Sequence, residues 1–362
     1  MNEDVILEIL SHCPATEIAK FRLLNKECNK RSYELSFINH HLQRTNSVFG
    51  YFVHNEDMRL KYRPRFVSGV EEEEGGKNRI SLRFLPCKNE WIEAWDTHHG
   101  ILLCNDDEFK GAKIKPDYIV CKPATKEYRI IPKPKNRYLA IATGLMVISS
   151  IPFRYKIIRV SKPCIWPNHN NSCEVFDSDS FAWKRLNDFE LPEFFPGVAK
   201  PVSAYGCLHW LTRKNNVIRF CMRTETWSVF PVPKEHLGYN HLILFSYEGK
   251  LGVTNSRSGA DLWVLENSFR KSWVKVKDAK FTALKDNYAQ AIWFPSNDVV
   301  SVAASDRLGL YDMNSNNCRY LHKENFFFWT GLSPSFAYYF IPFYSNYDRV
   351  GLNNDEVERS DR

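Results

Sequence analysis

Two hydrophobic periodicities divide the chain. From Val5 the apolar positions run Val5, Ile6, Ile9, Leu10 and Cys13. That spacing of three and four residues predicts a helix with one sticky face. Pro14 has no N–H to donate and a fixed φ, so it ends this helix or opens the next. Ile18, Phe21, Leu24 and Cys28 continue at helical spacing, with Lys20, Lys26 and Lys30 on other faces. A helical piece of about 45 residues buries too little surface to be very stable alone. Its apolar faces call for cover, from the following domain or from a partner.

From about residue 48 the pattern changes to short runs of Val, Ile, Phe, Tyr and Trp, broken by Gly, Pro, Asn and Asp. This predicts an all-β region, and the region repeats. "YIVCKPATKEYRIIP" (118–132), "CEVFDSDSFAWKRL" (173–186), "VIRFCMRTETWSVFP" (217–231), "DLWVLENSFRKSWVKV" (261–276) and "LGLYDMNSNNCRYL" (308–321) share one plan. Each is an apolar strand, a polar turn, and an anchor residue opening a second apolar strand. The anchors Tyr128, Trp183, Trp227, Trp273 and Cys318 lie 55, 44, 46 and 45 residues apart. Each interval has room for two further strands, such as "GCLHWLTR" (206–213) and "LILFSYEGKLGVTNS" (242–256). Four strands in about 45 residues is the size of a β-propeller blade. A single four-stranded sheet cannot cover both of its faces, and radial stacking covers them. Five blades are predicted, over 88–134, 138–190, 200–235, 241–278 and 288–323. The remaining 48–87 and "SFAYYFIPFY" (335–344) are expected to combine into a sixth, with seven the alternative count. The anchor aromatics Tyr128, Trp183, Trp227 and Trp273 read as blade-core packing.

Charge and cysteine usage narrow the function classes. The net charge of +7 over 362 residues is mild and comes without a basic cluster beyond short pairs, so nucleic acid is not an expected partner. None of the ten cysteines forms C-x-x-C, and most sit in apolar runs, as small buried hydrophobes do in a reducing compartment. The start "MNEDVILEIL" lacks the basic-then-apolar order of a signal peptide. "LAIATGLMVISSIPF" (139–153) is too short to span a bilayer and reads as a buried strand pair. An intracellular protein of the cytoplasm or nucleus, without a membrane partner, is the expectation.

Candidate chemistry adds little. There is no G-x-S-x-G, Walker loop, G-x-G-x-x-G or H-E-x-x-H, so no catalytic residue, cofactor or metal is expected. His98-His99 reads as structural, and "EEEEGG" (71–76) as a solvated loop. The four aromatics Phe326–Trp329 cannot all point inward on a strand. They read as a plug or junction in preference to an exposed partner patch.

Residues 1–42 resemble an F-box without gaps. Glu3-Asp4, Val5-Ile6-Leu7-Glu8-Ile9-Leu10, Pro14, Phe21-Arg22 and Lys26 stand at its motif positions, and "LSFINHHL" (35–42) at its usual ending. Asn2, Asn25 and Cys28 replace the usual Pro, Cys and Trp. The rest is similar to the β-propeller domain associated with plant F-boxes. "HHGILLCN", "CKPATKEYRIIP", "YKIIRV", "GCLHWL" and "EGKLGV" carry that likeness. The resemblance implies a multi-domain protein, with a small all-α F-box of three short helices (1–45), an all-β propeller (46–345) and a disordered tail (346–362). It also implies a non-enzymatic substrate receptor of an SCF-type (Skp–cullin–F-box) ubiquitin ligase. Val5, Ile6, Leu7, Ile9, Leu10, Pro14, Ile18 and Phe21 are the expected adaptor contacts, with Leu7 and Pro14 favoured for the partner face. Cullin would follow through the adaptor, and the propeller would bind a protein substrate of unknown identity. Two rival classes remain: a binding scaffold with an inactive F-box, and a propeller hydrolase whose residues are scattered around a channel.

Overall fold

The computed structural model describes residues 3–13, 31–32, 37, 41, 44–45, 47–55, 63–69, 80–87, 90–106, 117–136, 138–162, 171–186, 200–233, 242–247, 249–255, 262–267, 271–277, 290–295, 298–304, 307–323 and 338–352. Helix α1 (Glu3–Leu10) precedes the β-structure, and the described residues Arg31, Phe37, His41 and Arg44 are also helical. The bounds of the second and third helices expected within 1–45 lie outside the described residues.

Strands β1 (Ser47–Asn55) and β2 (Arg65–Ser68) come first. Five four-stranded antiparallel sheets then follow in chain order. They are β3 (Glu90–Asp96), β4 (Ile101–Asp106), β5 (Tyr118–Lys122) and β6 (Glu127–Ile130); then β7 (Leu139–Ser150), β8 (Phe153–Lys162), β9 (Ser172–Asp177) and β10 (Ala182–Arg185). The third holds β11 (Val202–Ala204), β12 (Cys207–Leu211), β13 (Asn216–Cys221) and β14 (Thr226–Pro231). The fourth holds β15 (Leu242–Tyr247), β16 (Lys250–Asn255), β17 (Leu262–Asn267) and β18 (Ser272–Lys277). The fifth holds β19 (Gln290–Trp293), β20 (Val299–Ala304), β21 (Arg307–Asp312) and β22 (Asn317–Lys323). In all five, consecutive strands are neighbours. The last strand, β23 (Tyr338–Asn346), returns to pair with β1 in a three-stranded sheet ordered β2-β1-β23. This is a six-bladed β-propeller. The five predicted blade spans hold the five meanders, and the two ends of the β-region combine as expected. No seventh sheet occurs among the described residues.

The chain forms two compact units. One comprises Met1–Phe52, Val67–Asn78 and Glu235–Tyr347; the other comprises Val53–Phe66, Arg79–Lys234 and Asp348–Arg362. In the second unit a core joins the first two meanders, with Ile101, Leu103, Tyr118 and Val120 against Leu145, Ile157, Phe176 and Trp183. Another joins the second and third through Val160 and Val175 against Leu208, Trp210 and Phe220. In the first unit Phe245 and Val264 pack with Ala291, Val302 and Tyr311. Phe49, Tyr51 and Leu308 continue that packing toward the three-stranded sheet. Sheets covered on both faces explain why β5 is buried at every position instead of alternating. Fourth strands have one free edge, and β10 accordingly buries only Trp183.

The repeat reaches down to single backbone angles. The residue two before each anchor has positive φ: Lys126, Phe181, Glu225, Lys271 and Asn316. Four of these are residue types that seldom adopt the left-handed region. The same turn therefore recurs without the glycine or asparagine that usually marks it. Close approach explains Gly144: a Cβ there would lie 2.3 Å from Leu208 Cδ1 of the next sheet.

The segment expected as a tail begins as a strap. Lys122 Nζ donates to the Asp348 carbonyl at 2.5 Å. The Glu127 carboxylate accepts the N–H groups of Val350 and Gly351 at 3.1 and 3.0 Å, and Leu352 is buried in the core of the first two meanders. Residues 353–362 lie outside the described residues.

Candidate functional site

Helix α1 forms where acidic Glu3 and Asp4 sit on the positive end of the helix dipole and aliphatic residues follow. Its last turn tightens, with the N–H groups of His12 and Cys13 donating to Ile9 and Leu10 at 3.1 and 3.0 Å. The Ser11 hydroxyl closes the turn onto the Glu8 carbonyl at 2.6 Å. One side of the helix is buried, with Leu7 at 8% and Leu10 at 1% exposure. Val5 and Ile9, one turn apart, are 49% and 54% exposed, and Ile6 lies between the two sides. Leu7, favoured from sequence for a partner, is thus turned inward, and Val5 and Ile9 hold the outward positions. The reason is helical phase: Leu7 shares its side with Leu10 three residues on. Pro14, Ile18 and Phe21 lie outside the described residues.

Polar contacts hold the helix in place. Arg31 pairs with Asp4 at 2.8 Å, and Arg44 with Glu8 at 2.6 Å and the Ser11 hydroxyl at 2.5 Å. His41 Nε2 is 2.8 Å from the Cys13 carbonyl, so it carries the proton and donates. Its Nδ1 then accepts from the Tyr344 hydroxyl at 3.3 Å, and the two rings stack. A continuous path therefore runs from the end of α1 through His41 to β23. Nothing in the pattern around His41 or Tyr344 marks them beforehand, because the pair is 303 residues apart in the chain.

The anchors differ in placement. Trp183 is buried against Tyr118 and Phe176, and its indole N–H donates to the Pro132 carbonyl at 2.6 Å. Trp227 is half-buried over Phe220 and Trp210; Tyr128 meets Phe84 with the rings tilted 52° to each other, and Trp273 is half-buried. These are packing positions. The Glu71–Gly76 loop and Phe326–Trp329 lie outside the described residues.

His98 and His99 fall in the turn between β3 and β4, not in a strand. His99 Nδ1 meets Asp96 Oδ1 at 2.9 Å, while Asp96 Oδ2 accepts the Val147 N–H of the next sheet at 3.0 Å. Burial penalises the charged forms of both, but their pairing more than offsets it. His99 titrates above the usual histidine value and Asp96 below the usual carboxylate value. Among the described residues no group of three or more His, Cys, Asp or Glu could hold a metal. No described helix is long and apolar enough to cross a membrane. The longest hairpin, β7–β8, carries the exposed Ile148 near its end and Ile151, 93% exposed, at its tip.

Comparison with known proteins adds to this geometry. Residues 66–319 match the model of the F-box associated beta propeller domain. F-box protein At5g41720 of Arabidopsis thaliana is 66% identical over 164 residues, covering 44% of this chain and 86% of that protein. F-box protein At1g30790 of the same plant is 23% identical over 305 residues, covering 75% of this chain and 73% of its own. F-box protein At5g49610, also from Arabidopsis, is 22% identical, covering 78% of this chain and 80% of that one.

Proposed function

The chain belongs to the F-box-associated β-propeller family, and from that premise we propose that it is the substrate-recognition subunit of an SCF-type ubiquitin ligase. In this reading the N-terminal helical segment docks a Skp-type adaptor, which brings cullin, and the propeller holds a protein substrate without doing chemistry itself. The observation that carries the reading is the outward stripe of Val5 and Ile9 on a helix whose other side is buried and pinned by arginines. Exposed aliphatic residues one turn apart suit a helical partner that covers them. The cytoplasm and nucleus, where such ligases act, are its expected locations.

Covering two half-exposed aliphatic side chains contributes about 3 kcal/mol, roughly a hundredfold in affinity. The test is affinity capture of the full chain from plant cells, comparing wild type with Val5→Asp/Ile9→Asp. Adaptor and cullin should accompany the wild type in stoichiometric amounts and be lost from the variant, with the melting temperature of the chain unchanged. Equal recovery from both would overturn the reading.

A further inference from the structure

The repeated turn contains a built-in anion cradle. The residue just before each turn is Lys122, Asp177, Cys221, Asn267 or Asp312, spaced as the anchors are. Where it is aspartate, the carboxylate collects the backbone N–H groups of the turn. Asp177 Oδ1 accepts from Asp179 at 3.0 Å, and Asp312 Oδ1 from Asn314 and Ser315 at 2.8 and 3.1 Å. Converging N–H groups of this kind stabilise negative charge. In the third meander a cysteine stands in the aspartate's place. The backbone N–H groups of Arg223 and Thr224 and the Thr224 hydroxyl favour the ionised form of the Cys221 sulfur. Burial opposes its ionisation, but these donors outweigh burial and bring the thiol down to about 7.

Cys221 is also directly opposite a second thiol. It is the register partner of Cys207 across β12 and β13. Met222 N–H donates to the Gly206 carbonyl at 3.3 Å, which makes 206/222 the hydrogen-bonded pair and 207/221 the closely spaced one. In such pairs Cα atoms lie about 4.5 Å apart, within the range a disulfide spans. The two thiols interact electrostatically, and Arg219 Nε lies 3.1 Å from the Cys207 sulfur. Cys221 is half-exposed, whereas Cys207 is buried. Among the described residues the other close thiols, Cys104 and Cys121 at 3.9 Å, are both fully buried and are not register partners.

We propose that Cys221 and Cys207 form a peroxide-oxidisable thiol pair, with Cys221 the nucleophile and Cys207 the resolving thiol. The Cys221 thiolate attacks one peroxide oxygen, the O–O bond breaks, and the departing hydroxide takes a proton to leave as water. Cys221 is then a sulfenic acid. The Cys207 sulfur attacks it, the S–S bond forms and the S–O bond breaks. The hydroxide released takes the Cys207 proton, giving a second water. Two thiols lose two electrons and one hydrogen peroxide is reduced to two waters. The charged groups on the same turn and its neighbours are Arg219, Arg223 and Glu225, the last held by Lys156 and Lys184 at 2.9 and 3.0 Å. This inference does not rest on adaptor docking.

The test uses the full native chain and hydrogen peroxide, with peptide mapping and the pH dependence of iodoacetamide labelling. Cys221 should label with a midpoint near 7. Peroxide should yield a Cys207–Cys221 bridge while Cys104 and Cys121 stay reduced. Cys207→Ser should instead accumulate a sulfenic acid at Cys221 that dimedone traps, and Thr224→Val should raise the labelling midpoint. Cys221→Asp installs the residue that two of the other repeats carry at Asp177 and Asp312, so it should fold and abolish bridge formation. A midpoint at about 8.5, the ordinary thiol value, would overturn the proposal. So would a folded, peroxide-treated chain that lacks the bridge.

Discussion

Replacing Glu127 by alanine should release the C-terminal strap. The Glu127 carboxylate accepts three hydrogen bonds, from Val350 N–H, Gly351 N–H and the Thr125 hydroxyl at 2.6 Å. Bonds to a charged acceptor contribute about 1.5–3 kcal/mol each. Water reaching the freed groups returns a good part of that, so a net cost of about 3 kcal/mol is expected. For a unit of this size the change lowers the melting temperature by roughly 6–12 °C. The strap's apolar end gives an internal check. Leu352→Ala alone should cost about 2–5 kcal/mol, because the side chain is buried in the shared core. If Glu127 holds the strap, Leu352 is already released in the Glu127→Ala background. The second substitution should then add less than about 1 kcal/mol, a strong departure from additivity. Urea unfolding of the wild type, both single variants and the double variant measures this directly. An unchanged midpoint for Glu127→Ala, or strictly additive costs, would mean that Glu127 does not hold the strap.

Other expectations follow from the same packing and charges. Gly144→Ala forces a methyl group against Leu208 and should destabilise by about 1–3 kcal/mol, read as a lower urea midpoint. The Asp96–His99 pair should make stability depend on pH in two directions. The histidine's value is raised on folding, so its contribution is complete below 6.5 and fades as pH rises through the raised value. The aspartate's value is lowered, so its contribution is complete above 3.8 and fades as pH falls through the lowered value. The stability gap between wild type and His99→Gln, from urea unfolding, should therefore be widest between those limits and narrow at alkaline pH. A gap independent of pH would contradict the pairing.

Much of the architecture was legible because a blade is a local object. Its four strands are consecutive, and the anchors from Trp183 to Cys318 keep their spacing whatever their identity. Even the split sixth blade could be inferred, since 48–87 and 335–344 were left without neighbours. What escaped the pattern depends on distant partners. Glu127 looks like any turn glutamate until Val350 and Gly351 reach it from more than 220 residues away. The outward placement of Val5 and Ile9 depends on what Leu7 and Leu10 pack against, which helical spacing alone does not specify. The left-handed turn residues Lys126, Phe181, Glu225 and Lys271 carry no glycine signal, because the paired strands around them hold the conformation. Cys221 ends the apolar run Val217–Cys221, as most of the cysteines sit in such runs. Only comparison with Asp177 and Asp312 at the equivalent position reveals its different environment.

Sedimentation velocity of the purified chain mixed with a purified Skp-type adaptor shows whether the two associate. A single boundary at the mass of a one-to-one complex is expected, which Ile9→Asp separates into two. Two independent boundaries with the wild-type chain, at concentrations well above micromolar, would contradict adaptor docking.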